Sequence, residues 1–163
     1  MYLWLVFLHV LSGFVFFLAH GASAAVLLKL RQERDIQRIK ALFDLRSYAE
    51  PAMSWSAGVL FLSGIVAGFV GRWWGYGWIW ASLILLILVS VMMTYMGRMY
   101  FERVRKAVGL DHRLKGSKPT PAEKPASAKV LEEVILAGKP GWVAALGLVG
   151  LALIVWLMMF KPF

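Results

Sequence analysis

The stretch that decides the fold is residues 2–28, YLWLVFLHVLSGFVFFLAHGASAAVLL, which contain no Asp, Glu, Lys or Arg. An α-helix rises about 1.5 Å per residue, so a helix of this length crosses the roughly 30 Å hydrocarbon layer of a bilayer with some tilt. The apolar part of a cleavable leader is shorter, and a charged segment follows this stretch directly. The stretch therefore predicts a first transmembrane helix that is retained.

The composition of the whole chain points the same way. The protein has 163 residues, of which 60% are hydrophobic and 17% are charged, less charge than soluble domains carry. Three further apolar segments, at about 52–71, 77–100 and 142–160, are each long enough to span a membrane, and none shows strand alternation. The sequence predicts an all-α fold, an integral membrane four-helix bundle. The absence of Cys excludes disulfides, Fe–S clusters, thiolate catalysis and covalent haem attachment.

The connections between these segments divide the chain into residues 1–109, 110–139 and 140–163. A basic loop at 29–50 has amphipathic character and predicts a short helix at the membrane surface, with Pro51 restarting the chain as a second spanning helix. The very short turn at 71–77 predicts that the second and third helices are antiparallel neighbours. Residues 110–139 predict a flexible basic connection, with a linker at 116–128 and a short amphipathic helix at 129–137.

The basic residues are distributed unevenly and predict the orientation. Of the 18 Lys and Arg residues, only Arg72 and Lys161 lie outside the two large connections, which also hold all nine acidic residues. The positive-inside rule places these connections in the cytoplasm and both termini outside. We expect a bacterial inner membrane, so both termini would lie in the periplasm. The formal charge of +9 is then explained by orientation and by attraction to the lipid bilayer, not by nucleic-acid binding.

His9 and His20 are the candidate site residues. They share one helix face within roughly 20° and lie about 16 Å apart along the axis, so one haem cannot bind between them. A neutral imidazole is an axial ligand of haem b, and each histidine would need a second ligand. The candidates are the methionines of the third segment or the same histidine of a second copy. These methionines are Met92, Met93, Met96 and Met99, of which Met92 and Met96 are selected here. Alternatively, the histidines bond neighbouring helices and no cofactor binds.

Other classes of site have weaker support. The predicted spans hold no carboxylate, Lys or Arg away from their ends, which argues against proton-coupled transport and voltage sensing. Five aromatic residues crowd the turn between the second and third segments. They predict an aromatic belt at the membrane interface, with a quinone or pigment pocket as the alternative. The members of this cluster are Trp73, Trp74, Tyr76, Trp78 and Trp80.

Several motifs carry a resemblance to known families. One resemblance lies in the order of three features: His9 early in the first span, a charged loop, and Pro51-Ala52-Met53 before a Gly-rich second span. This order resembles the four-span haem-associated proteins grouped around the CopD copper-resistance domain, the DUF2269 family and HemJ-type protoporphyrinogen oxidases. Residues 1–109 are similar to a bacterial family of DUF2269-like membrane proteins through four motifs. These are His20-Gly21-Ala22-Ser23, Arg31-Gln32-Glu33-Arg34-Asp35, Ala41-Leu42-Phe43-Asp44-Leu45 and Trp73-Trp74-Gly75-Tyr76-Gly77-Trp78-Ile79-Trp80.

The resemblance implies that His9 could match a haem-ligating histidine. A HemJ-type third span carries a Lys, whereas residues 83–95 have none, so the oxidase activity is not carried over. Two functions stay open. The first is a non-catalytic or redox-accessory subunit of a larger membrane electron-transfer complex, partnered by other membrane subunits or by further copies of this chain. The second is a haem b protein that passes electrons between quinone and a partner. An enzyme acting on a lipid or porphyrin is a third possibility.

Overall fold

The computed structural model describes residues 1–112 and 120–163, and this part of the chain is helical throughout its regular structure. The helices are α1 (Tyr2–Leu30), α2 (Ile36–Val70), α3 (Gly77–Ala107), α4 (Ala128–Ala137) and α5 (Pro140–Phe160). A short 3₁₀ turn, Trp73–Gly75, joins α2 to α3. Four of these helical segments, counting α4 and α5 together, are long and apolar enough to cross a membrane.

Local signals explain where the helices begin and end. The Asp35 carboxylate accepts a hydrogen bond from the Arg38 backbone N–H at 2.9 Å, so Asp35 is the N-cap of α2. At the end of α3, Gly109 has a φ of +72°, a left-handed conformation that glycine adopts without steric cost. Ser127 caps α4, which carries Leu131 and Ile135 on its buried face. A helix with one buried apolar face thus occupies the segment in which the sequence predicts a short amphipathic helix, 129–137.

The structure differs from the prediction of a separate surface helix at 29–50. Residues 29 and 30 end α1, and α2 runs without a break through Pro51. Proline inside a helix costs about 3 kcal/mol because it removes one backbone hydrogen bond. Ile39 and Phe43 in the first half of α2 are buried, and burial of each contributes roughly 1.5–3 kcal/mol, which offsets that cost. At about 1.5 Å per residue, α2 is about 52 Å long and exceeds the thickness of a bilayer core.

The two ends of the bundle differ in chemistry. At one end, here called the aromatic end, the Tyr2 and Trp73 rings meet at 5.8 Å and the Trp78 N–H donates to the Phe163 carbonyl at 3.1 Å. Both termini and the α2–α3 turn therefore lie together. The opposite or basic end holds the α1–α2 loop, the end of α3, and α4. Its core includes Leu30, Ile39, Phe43, Phe101, Val104, Leu131 and Ile135.

The helices pair in an order that the short turn did not indicate. The backbones of α1 and α2 approach most closely, then those of α3 and α5, and α1 contacts α5 less extensively. The α2 and α3 helices are antiparallel, but they meet through side chains near their ends. Phe43 packs on Phe101 at the basic end, while Gly68 lies beside Trp74 and Ile79 at the aromatic end. The predicted neighbour packing of α2 and α3 is thus wrong over most of their length.

The predicted linker at 116–128 falls partly on residues 113–119, which lie outside the described residues. His112 and Thr120, on either side of them, form an antiparallel bridge. Beyond it, the Ala126 N–H donates to the Ala107 carbonyl at 2.9 Å and ties this segment to the end of α3.

Candidate functional site

His9 is held by the neighbouring helix α2. Its Nδ1 lies 2.9 Å from the Leu60 carbonyl oxygen and 3.3 Å from the Ser63 hydroxyl oxygen. The carbonyl only accepts, so Nδ1 carries the proton that is donated to it. Ser63 in turn donates its own hydroxyl proton to the Val59 carbonyl at 2.6 Å. In this arrangement the neutral ring has its unprotonated nitrogen at Nε2, which bonds no residue among 1–112 and 120–163.

Gly64 provides the space for the His9 ring. A Cβ atom at this position would lie 2.9 Å from His9 Cε1 and 3.2 Å from Nδ1, so a larger residue would displace the ring. On α1, Ser12 is buried one turn after His9 and donates to the His9 carbonyl at 2.9 Å. Small residues on both helices therefore permit the close approach of α1 and α2 that brings the imidazole to the Leu60 carbonyl.

His20 faces a different pair of helices. Its side chain is buried, and its Nε2 finds no hydrogen-bond partner among the described residues. The ring stacks on Phe16, with ring centres 5.7 Å apart. A Cβ atom at Gly147 of α5 would lie 2.7 Å from His20 Nε2 and 2.9 Å from Met93 Cε. His20 and Met93 therefore meet at one notch in α5, where the backbone of α5 occupies the space in front of Nε2.

The two histidines differ in how well they fit a haem ligand. A metal-binding imidazole typically donates its second ring N–H to a carbonyl or carboxylate, and His9 has this arrangement. His20 does not fit, because a haem iron about 2 Å from Nε2 would collide with α5 at Gly147. The thioether beside His20 is Met93, whereas Met92 and Met96 are 39% and 37% exposed. The described residues bring together no group of three or more His, Asp or Glu residues that could hold a metal ion.

The aromatic cluster at the α2–α3 turn is packed largely against itself. Trp73 and Trp78 have ring centres 5.6 Å apart, and Trp78 is only 2% exposed. Trp80 Nε1 donates to the Trp74 carbonyl at 3.0 Å. The Lys161 ammonium lies 4.7 Å from the centre of the Trp73 ring, a cation–π contact that fixes the end of the chain. Trp78 thus differs from a lipid-facing belt residue, whereas Tyr76 and Trp80 are exposed.

Sequence reasoning found both histidines but missed the residues that position them. Leu60, Ser63 and Gly64 place His9, while Gly147 and Met93 enclose His20. In the sequence, Gly64 and Gly68 are four residues apart and give the second span a small-residue face, but a sequence does not indicate which helix such a face contacts. No protein-family model, curated protein or solved structure matches this chain. The resemblance to the DUF2269-like, CopD and HemJ-type proteins stays a prediction.

Proposed function

We propose that this chain is a small multi-pass membrane protein that serves as a non-catalytic or redox-accessory subunit of a larger membrane complex. The observation that carries the proposal is the use of its two span histidines. His9 bonds α2 and His20 packs into the Gly147 notch of α5. Both titratable side chains therefore hold helices together, and the described residues assemble no set of nucleophile, base and open cavity around either of them.

The proposed orientation follows from charge. The aromatic end carries Arg72 and Lys161, and the other basic residues lie toward the opposite end. Under the positive-inside rule the basic end is cytoplasmic, and both termini lie outside a bacterial inner membrane. Alkaline phosphatase fused after Phe163 should then be active, whereas a green fluorescent protein fused there should be dark. The opposite pair of results would reverse the orientation and contradict this part of the proposal.

The subunit role can be tested in native membranes. Membranes from cells that express the tagged chain at its natural level are solubilised in mild detergent and separated by native electrophoresis. We expect the chain to migrate in an assembly that contains other membrane subunits, and a double variant, His9→Ala with His20→Ala, to lower its amount by weakening the bundle. Migration of the chain alone, with unchanged growth and respiration when it is deleted, would refute an accessory role.

The second candidate is a haem b protein in which His9 is an axial ligand, and the geometry of His9 favours it. The Leu60 carbonyl fixes the tautomer that leaves Nε2 free, as ligation requires. A bound haem would supply one-electron chemistry. Purified protein should then show a Soret band that is lost on His9→Ala and kept on His20→Ala. A colourless preparation from haem-sufficient cells would exclude this candidate and leave the accessory role.

A further inference from the structure

The α2 and α3 helices touch near both ends but are separated between these contacts. On α3, the positions that share a face with Phe101 are reached by steps of three and four residues toward the aromatic end. They are Ile87, Ser90, Thr94 and Arg98, and all four are exposed, although they share the helix face by which Phe101 meets α2. Glu50, Ser54 and Phe61, on the α2 face that carries Phe43, are exposed as well. We call this separation the α2–α3 opening.

Polar groups without partners line one half of the α2–α3 opening. Ser82, nearer the aromatic end of α3, donates its hydroxyl proton to the Trp78 carbonyl at 2.8 Å. Ser90 and Thr94 make no hydrogen bond within residues 1–112 and 120–163, and Arg98 makes no ion pair there. In a membrane, hydroxyl and guanidinium groups that face lipid without a partner cost free energy. Their alignment on one face therefore indicates a polar ligand.

A second arginine stands at the same end of the opening. The Arg46 guanidinium carbon lies 4.0 Å from the centre of the Phe101 ring, and one of its nitrogens binds Glu50 at 3.1 Å. Its buried Nε has no partner among the described residues. Arg46 pairs with Glu50, whereas Arg98, about 4.5 Å along the axis from Phe101, makes no ion pair among the described residues and supplies positive charge at this end. The mouth of the opening at the basic end thus attracts an anion.

We propose that the α2–α3 opening binds one anionic phospholipid from the membrane. Its phosphate would lie at Arg98, and Thr94, about 6 Å deeper, would donate to an ester carbonyl. The acyl chain would follow the apolar part of the opening past Ile87 toward Phe61. A partner helix fits less well, because the contacts of Phe43 with Phe101 and of Gly68 with Ile79 close the opening at both ends. This inference rests on the proposed membrane location.

The proposal is tested by native mass spectrometry of the full chain in mild detergent. The parent protein and two variants are incubated with phosphatidylglycerol or with phosphatidylcholine of the same acyl chains. Arg98→Gln removes the proposed phosphate contact. Arg103→Gln is the matched control, because Arg103 is exposed on the opposite face of the same helix. We expect Arg98→Gln to weaken phosphatidylglycerol binding about tenfold, the size of one charge-assisted hydrogen bond, and Arg103→Gln to weaken it less than about twofold.

Several outcomes would overturn the lipid site. Equal losses in Arg98→Gln and Arg103→Gln would show diffuse surface charge, and equal binding of the two lipids would show that no headgroup is recognised. Displacement of phosphatidylglycerol by millimolar inorganic phosphate would assign the mouth to a free anion. A dimer that depends on Arg98 would assign the opening to a second copy of the chain. If Arg98→Gln does not fold, Arg98→Lys, which keeps the charge, should retain the preference for phosphatidylglycerol.

Carbonate extraction of cell membranes that contain the chain separates this test from that of the proposed function. If the chain is washed off the membrane, both proposals fail. If it stays embedded but shows no preference for phosphatidylglycerol, only the lipid site fails.

Discussion

The notch at Gly147 makes the sharpest quantitative prediction about the packing of the bundle. Gly147→Ala places a methyl group 2.7 Å from His20 Nε2 and 2.9 Å from Met93 Cε. Non-bonded carbon atoms prefer about 3.5–4.0 Å, so both neighbours must move. The flexible Met93 side chain can rotate away. The His20 ring can shift less because Phe16 stacks against it at 5.7 Å.

The magnitude follows from two opposing contributions. Overpacking of a well-packed core costs about 1–3 kcal/mol, whereas Ala gains up to about 1 kcal/mol over Gly in helix propensity. Gly147→Ala should therefore lower the free energy of unfolding by as much as about 2 kcal/mol. Gly141→Ala, on the same helix, places its methyl group where no atom lies within 4 Å. Its stability should be unchanged or slightly raised, so the two variants should differ by about 1–3 kcal/mol.

Unfolding in mixed micelles of mild detergent and SDS, followed by circular dichroism, measures this difference. Adding His20→Ala to Gly147→Ala should recover part of the loss, because the substituted side chain no longer meets the methyl group, and the coupling should appear in a double-mutant cycle. If Gly147→Ala proves as stable as Gly141→Ala, or if the cycle shows no coupling, then α5 does not pack against His20 as described.

Three further predictions concern other parts of the chain. Pro51→Ala should raise the free energy of unfolding by about 1–3 kcal/mol, because it restores one backbone hydrogen bond in a continuous α2; a loss of stability in the same SDS titration would indicate a break there. His9→Leu should lower the free energy of unfolding by about 0.5–1.5 kcal/mol, because the hydrogen bond to the Leu60 carbonyl is lost. His20→Leu should lower it less, because His20 Nε2 has no hydrogen-bond partner among the described residues. The reverse order would contradict these assignments. The Asp35 and Arg34 backbone N–H groups lower the pKa of Glu33 below its usual 4.5. The ionised Glu33 therefore contributes stability above that value, and this contribution is lost as pH falls through the lowered pKa. The free energy of unfolding, measured between about pH 6 and pH 3, should accordingly depend less on pH in Glu33→Gln than in the parent protein.

Hydropathy alone located the four apolar helices, because length and the absence of charge are local properties of the sequence. It also placed the two large connections at one end. The continuity of α2 was not predictable in this way. Pro51 is a strong local signal for a helix start, and it is overridden by contacts with residues far along the chain. Phe43 meets Phe101 and lies in one core with Leu131, and no pattern within residues 36–50 identifies these partners.

The candidate site was predictable to a similar extent. The histidines stood out as the titratable groups in apolar surroundings, and their spacing correctly separated them into two environments. Their partners depended on helix pairing, which the sequence left open. The short turn at 71–77 fixes the antiparallel direction of α2 and α3 but does not set the distance between their midpoints. Which of the candidate methionines lies beside His20 depends on the facing helix: Met93 meets the Gly147 notch, whereas Met92 and Met96 are exposed.

Helix pairing in this bundle follows from where glycines meet larger side chains. The α3–α5 pair shows this most clearly: Val89 faces Gly150 and Met93 faces Gly147. Tyr100 faces Gly138 in the same way, at the connection between α4 and α5. In the α1–α2 pair, His9 occupies the space at Gly64 in the same way. The α2 face toward α3 has such a notch only near Gly68, while Glu50, Ser54 and Phe61 follow it toward the basic end. These polar and bulky groups prevent close approach, so the pattern that joins the other pairs also keeps the α2–α3 opening apart.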